Sequence, residues 1–217
     1  MVVLLGPPGS GKGTQGKLLA DHFSIPHIAT GDVIRDHIAR KSDFGIMIER
    51  DIANGEFAPS EIITSTVLET LQLRDEGGWI LDGFPRDLSQ AEVFMQWLEG
   101  RGSSNPHFIQ LGVPSSALVD RLGGRWICGQ CDTSYHANSL QTAGMFCVHD
   151  GAPLYRRPED EPGSVLRRLE IYEKVTLPVS RFIAETVPVC LVDGRPAPGP
   201  IFGSILHCIG NAHFREL

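Results

Sequence analysis

The chain has 217 residues, 41% of them hydrophobic, which is enough for one large domain with a real core. Its net charge of -7 does not favour a nucleic-acid-binding surface, and no apolar run is long enough to span a membrane. The positive charge is uneven in kind: 15 Arg against 4 Lys, a bias that suits rigid, bidentate contacts to phosphate.

In chain order, VVLL at 2–5 reads as a strand, far shorter than a signal-peptide core, and a cytoplasmic protein is expected. GPPGSGKGT at 6–14 follows at once, and a helical pattern runs from 12 to 23. HIA at 27–29 reads as a strand, 31–41 and 60–75 as helices, WILD at 79–82 as a strand and 87–100 as a helix. HFIQLGV at 107–113 is the next strand and 115–123 the next helix. A long helix over 164–186, the strand VCLVD at 189–193 and a helix over 199–209 complete the chain. This cadence predicts an α/β fold whose parallel sheet is flanked by helices on both faces, with ligands beyond the carboxyl ends of the strands.

The glycine loop lies in the strand–loop–helix setting that phosphate binding needs. Glycines let successive backbone N–H groups turn inward, the helix N-terminus adds positive dipole, and Lys12 reaches the outer phosphates. The strict P-loop motif puts Ser or Thr directly after the lysine; here Gly13 intervenes before Thr14.

Residues 126–156 break the cadence, with little helical period. They contain two knuckles, Cys128-x-x-Cys131 and Cys147-x-x-Asp150. Three thiolates and a carboxylate can close a tetrahedral, structural Zn²⁺ site with no open position for chemistry. His149 is the rival fourth ligand and His136 could compete; knuckle spacing favours Asp150. A short loop with few apolar residues needs such a staple. Cys190 and Cys208 fall in strand and helix patterns and read as buried packing residues.

Taken together, these blocks resemble the adenylate kinase family in its long-lid, zinc-binding bacterial form. The Lys-Gly-Thr order, ATGDVIR at 29–35, LDGFPR at 81–86 with Gln90, DRLGGR at 120–125, RPEDEPGSVLRR at 157–168 and VDG at 192–194 occur in the family's order. The resemblance implies a P-loop NTPase-type core over 1–29, 59–124 and 158–217, a small helical AMP-binding segment over 30–58, and a zinc-ribbon-like lid over 125–157.

It also implies roles for residues. Lys12, Arg86, Arg125, Arg157 and Arg168 would converge on the transferred phosphoryl group. ATP would be held by Gly9, Ser10, Gly11, Lys12, Gly13, Thr14, Arg121, Arg125, Ser134, Tyr135 and Pro196. AMP would be held by Thr30, Arg35, Glu56, Phe57, Ala58, Gly83, Phe84, Pro85, Arg86, Gln90, Arg157 and Arg168. A glutamine amide can pair with the donor and acceptor edge of adenine. Asp82 and Asp32 are the candidates to hold Mg²⁺ through water, Asp32 being equally readable as a first-turn helix acid. Arg156 and Arg167, neighbours of matched positions, read as ordinary charges.

The chain departs from the family pattern at Glu159-Asp160, where Asp-Asp is usual, at Gly163, and at ANSL in 137–140. The implied reaction is reversible phosphoryl transfer from MgATP to AMP giving two ADP, by a monomer with no nucleic-acid or membrane partner. The rivals are a kinase for another nucleoside monophosphate, a GTP-dependent AMP phosphotransferase, and a zinc-ribbon module whose glycine loop acts as a nucleotide switch. The arginine set speaks against the last, since a switch has no need of two phosphate sites.

Overall fold

The computed structural model describes residues 1–53, 59–74, 77–101, 106–140 and 144–211. In chain order the strands are β1 (Val2–Leu5), β2 (His27–Ala29), β3 (Ile80–Asp82), β4 (His107–Gly112), β5 (Arg125–Cys128), β6 (Ser134–His136), β7 (Leu154–Tyr155) and β8 (Val189–Asp193). The helices are α1 (Lys12–Phe23), α2 (Thr30–Ala39), α3 (Asp43–Ala53), α4 (Ser60–Leu73), α5 (Leu88–Gly100), α6 (Ser115–Gly123), α7 (Ala137–Leu140), α8 (Pro162–Ile171), α9 (Leu177–Ala184) and α10 (Pro198–Asn211).

β1 is apolar throughout because it is buried on both faces, as a central parallel strand must be. It pairs in parallel with β3 on one side and β4 on the other, in the sheet order β2-β3-β1-β4-β8. Side chains alternate across it. Val3 and Leu5 pack with Phe84, Phe94, Phe108 and Val179 on one face. Val2 and Leu4 pack with Leu19, Ile201 and Ile205 on the other. The strand order reverses at β1, so the crevice at its carboxyl end is the switch point, and the glycine loop begins there.

Three elements differ from the sequence reading. A separate helix, α3, follows α2. Gly45 lets the two approach, since a Cβ there would sit 2.0 Å from the His37 carbonyl oxygen. The predicted helix over 164–186 is interrupted by one π-helical turn at Tyr172–Thr176. Pro178, which has no N–H to donate back into the preceding turn, stands just beyond it. The third is the insertion, where β6-β5-β7 form a small antiparallel sheet with a core of Cys128, Leu140, Cys147, Ala152 and Leu154. Strands of two to four residues leave too short a pattern to be read as period-two alternation.

Cys190 and Cys208 require a correction. They are half-buried and form a disulfide that fastens α10 to β8, instead of packing as separate thiols. Each element, read alone, looks like ordinary apolar packing; only the tertiary pairing of strand and helix brings the sulfurs together.

Candidate active site and metal centre

The glycine loop is shaped by left-handed backbone at Gly9 and Gly11 (φ 81° and 98°), which L side chains rarely adopt. A Cβ on Gly9 would also meet Leu122 of α6 at 2.8 Å. Gly11 is the N-cap of α1 and has no side chain to satisfy the first-turn N–H groups, which stay open to an anion. Lys12 donates from Nζ to the carbonyls of Gly6 and Pro7 at 2.8 and 2.9 Å, folded back over the loop. Burial pulls its pKa down to about 8, with Arg86, Arg168 and Arg125 adding to the fall and Asp82 opposing it. Ser10 is fully buried, and its hydroxyl has no partner. Gly13 faces Asp82: a Cβ would lie 3.6 Å from Oδ2, so the absent side chain keeps clear the space between α1 and that carboxylate.

The structure draws Lys12, Arg86, Arg125 and Arg168 into one electrostatic neighbourhood. Arg125 is gripped by the fully buried Asp160, Nε to Oδ2 at 2.7 Å and Nη2 to Oδ1 at 2.5 Å. Arg168 donates from Nη1 to Asp160 Oδ1 at 3.2 Å and to the Glu159 carbonyl at 3.0 Å. One carboxylate thus aims two guanidinium groups from different elements. Arg157, the fifth of the set, has its Nη2 4.0 Å from Asp132, just past the first cysteine knuckle. Arg156 clamps the base of the insertion, donating to the Gly123 carbonyl at 2.8 Å and lying over Trp126.

Among the residues expected at the acceptor, Phe84 is wholly buried in the core, edge-on to Phe94, and a cis peptide joins it to Pro85. Both side chains are buried, directly before the exposed Arg86. Arg86 donates from Nε to the Gly83 carbonyl at 2.8 Å. Arg35 pairs with Asp32 and approaches Glu159 Oε1 at 3.8 Å, so Glu159 reaches across to α2. Thr30 is buried, with Oγ1 donating to the Asp82 carbonyl at 3.3 Å. Gln90 is buried, and both ends of its amide are engaged: Oε1 accepts from Arg86 N–H at 2.8 Å, and Nε2 donates to Ser60 Oγ at 2.9 Å. Glu56, Phe57 and Ala58 lie outside the described residues.

Among the residues expected at the donor, Arg121 donates from Nη1 and Nη2 to the carbonyls of Gly194 and Arg195, both at 2.8 Å, which fixes the turn leading to the exposed Pro196. Thr14 and Ser134 are exposed. Tyr135 turns its hydroxyl toward the cysteines. Its hydroxyl lies 3.1 Å from Cys147 Sγ and accepts from Val148 N–H at 3.2 Å, so it supports the cysteine cluster.

In that cluster, ligand atoms of Cys128, Cys131, Cys147 and Asp150 all lie within 4.8 Å of one another. Backbone N–H groups of Gln130 and Cys131 point at Cys128 Sγ, and that of His149 at Cys147 Sγ, leaving the His149 ring outside the cluster. Ala152 N–H donates to Asp150 Oδ1 at 2.9 Å, the main reason its carboxyl is held well below the usual range. Burial pushes the Cys128 thiol up to about 11. A soft thiolate set with one carboxylate and N–H donors to sulfur fits Zn²⁺, whose charge would reverse that penalty.

Three contacts had no counterpart in the sequence reading. Lys17 of α1 donates from Nζ to the Cys131 carbonyl at 2.8 Å, tying the cysteine knuckle to the helix behind the glycine loop. Gly16 opens a notch for the His27 ring, which a Cβ would strike at 2.3 Å; the ring's Nε2 stands 3.8 Å from Asp82 Oδ2. Ser60 joins Asp87 to Gln90. Each pairs residues too far apart in sequence for any local pattern to flag.

A glycine loop at the switch point of a parallel sheet, faced by arginines from three further segments, defines a phosphate-loop kinase fold. Comparison with known proteins narrows this. The adenylate kinase family profile matches residues 4–187. Adenylate kinases from Clostridium tetani and Clostridium botulinum (strain Hall) are 35% and 37% identical to this chain over 212 residues, covering 96% of it and 98% of their own lengths. One from Clostridium perfringens (strain SM101) is 36% identical, at 97% and 98% coverage. The chain belongs to the adenylate kinase family.

Proposed function

We propose that this chain transfers the γ-phosphoryl group of MgATP reversibly to AMP, giving two ADP. The observation that carries this reading is the convergence of Lys12, Arg86, Arg125 and Arg168 between the glycine loop and the Arg35 side of the cleft. Two phosphate-binding halves that meet at one cationic centre suit transfer between nucleotides better than hydrolysis or switching.

An AMP phosphate oxygen attacks the γ-phosphorus, the bond to the β–γ bridging oxygen breaks, and ADP carries that oxygen away. In this reading Lys12 exchanges its two loop carbonyls for phosphate oxygens, and Arg125 and Arg168, held by Asp160, neutralise charge on the transferred group. Arg35 and Arg86 hold the acceptor phosphate, and Arg157 joins them once freed from Asp132. Mg²⁺, when bound with ATP, would neutralise the outer phosphates; Asp82 would hold it through water, beside the gap left by Gly13. Asp32 is tied to Arg35 and is the weaker candidate. Arg121 and the 194–196 turn border the donor base, with Ser134 contributing from the lid.

We assign 1–29, 59–124 and 158–217 to the core, 30–58 to the AMP-binding segment, and 125–157 to a lid stapled by Zn²⁺ through Cys128, Cys131, Cys147 and Asp150. We read the protein as a cytoplasmic monomer acting on ATP, AMP and ADP, without nucleic acid. Among the described residues no helix is long and apolar enough to cross a membrane. A coupled assay of ADP formation with AMP, UMP, CMP or GMP as acceptor, and ATP or GTP as donor, tests the reaction. Turnover is expected with ATP plus AMP; its absence, or a better pyrimidine acceptor, overturns the proposal.

A further inference from the structure

Around Gln90 the hydrogen bonds have only one possible direction. A carboxylate can only accept, so the Ser60 hydroxyl spends its single proton on Asp87 Oδ2 at 2.5 Å. Ser60 Oγ must then accept from Gln90 Nε2 at 2.9 Å. A backbone N–H can only donate, so Arg86 fixes the other end of the amide as oxygen, at 2.8 Å. Turning the amide over would set its NH₂ against the Arg86 N–H, and its oxygen against a hydroxyl whose proton is already committed. Asp87 is itself held in place, accepting from Gln90 N–H at 2.9 Å as the N-cap of α5 and from Ser89 Oγ at 2.7 Å. Burial alone would raise the Asp87 pKa; the bonds from Ser60, Gln90 and Ser89 outweigh it and keep the group ionised, as the relay requires.

We propose that Ser60, anchored by Asp87, is a specificity-determining positioning residue of the acceptor site: it locks the Gln90 amide in the orientation that pairs with adenine and against the one that pairs with a 6-oxopurine. The locked amide keeps one N–H and one oxygen lone pair in reserve. Adenine offers the complement, an acceptor at N1 and a donor at N6. Hypoxanthine presents the reverse, a donor at N1 and an acceptor at O6, and needs the amide turned over. This inference rests on the reading that Gln90 faces the acceptor base.

The test measures kcat/KM for AMP and for IMP at saturating ATP, in wild type and in Ser60→Ala, Ser60→Thr, Asp87→Asn and Gln90→Ala. Loss of one lock is worth about a tenfold change in an equilibrium. Ser60→Ala is therefore expected to lower the AMP:IMP ratio about tenfold, chiefly through the acceptor KM, with the KM for ATP unchanged. Ser60→Thr keeps the hydroxyl and restores the ratio. Asp87→Asn retains an N-cap but turns a donor toward Ser60, so it lowers the ratio as Ser60→Ala does. A merely structural role for Ser60 would lower the melting temperature and leave the ratio alone. If Gln90→Ala leaves the ratio at its wild-type value, the reading of the base site fails first. If Gln90→Ala collapses the ratio while Ser60→Ala or Asp87→Asn leaves it unchanged, the lock itself is overturned.

Discussion

Single side chains set the chemistry here through the partners they hold before any nucleotide arrives. Lys12 is the clearest case. Its ammonium is half-buried among three guanidinium groups, and with a pKa of about 8 it loses its proton far closer to neutrality than an ordinary lysine. The sign follows directly: below about pH 8 the free enzyme carries the charge that phosphate needs, and above it the charge is lost. The kcat/KM for ATP, which reports the free enzyme, is therefore expected to fall as pH rises through about 8. Lys12→Met removes that inflection and costs at least about a hundredfold in kcat. A flat profile from pH 7 to 9.5 in wild type would contradict the assignment. Asp160 does the opposite kind of work. Fully buried and bonded to both Arg125 and Arg168, it exchanges solvation for the fixed direction of two charges.

At the scale of elements, legibility tracked the length of the pattern. β1, the glycine loop and α1 could be read together because a buried apolar strand and a glycine-rich turn opening directly into a helix each leave a local mark. The cysteine knuckles could be read from spacing alone, and Cys128, Cys131, Cys147 and Asp150 do converge. What escaped was tertiary: the Cys190–Cys208 bond, the turning of Tyr135 toward Cys147, and the engagement of Gln90 by Ser60. Among the described residues, the core cluster of the cysteine-bearing insertion has five buried members, two of them cysteines, so apolar burial alone holds it weakly. Cys128→Ser is accordingly expected to reduce bound zinc well below one per chain and to lower the melting temperature by roughly 5 °C or more. The KM for AMP should stay near its wild-type value, as read by metal analysis, calorimetry and initial rates. Equal losses in stability and AMP affinity would point to a metal with a functional role.

Across the whole molecule, two long-range contacts connect the segments proposed above as acceptor segment, lid and core. Arg35 of the acceptor segment approaches Glu159 at the lid exit, and Lys17 of α1 donates to the carbonyl of Cys131 in the lid. The second contact reaches a proposed metal ligand from the helix that carries the phosphate loop. Lys17→Met is expected to leave zinc content and the KM for AMP unchanged and to raise the KM for ATP about threefold to tenfold, the range for one charge-assisted bond at a half-exposed site. An unchanged KM for ATP would show that this contact does not help seat the lid over the donor.

The notch at Gly16 sets the tolerance of this arrangement. The His27 ring fills the place where any side chain would begin, and the ring stands beside Asp82. Helix α1 therefore cannot turn about its own axis to swap one buried face for another without expelling the ring. The glycine acts like a keyway on a shaft. It indexes the first-turn N–H groups and Lys12 against the carboxylate opposite, so the aim of the phosphate loop is fixed one helical turn behind it.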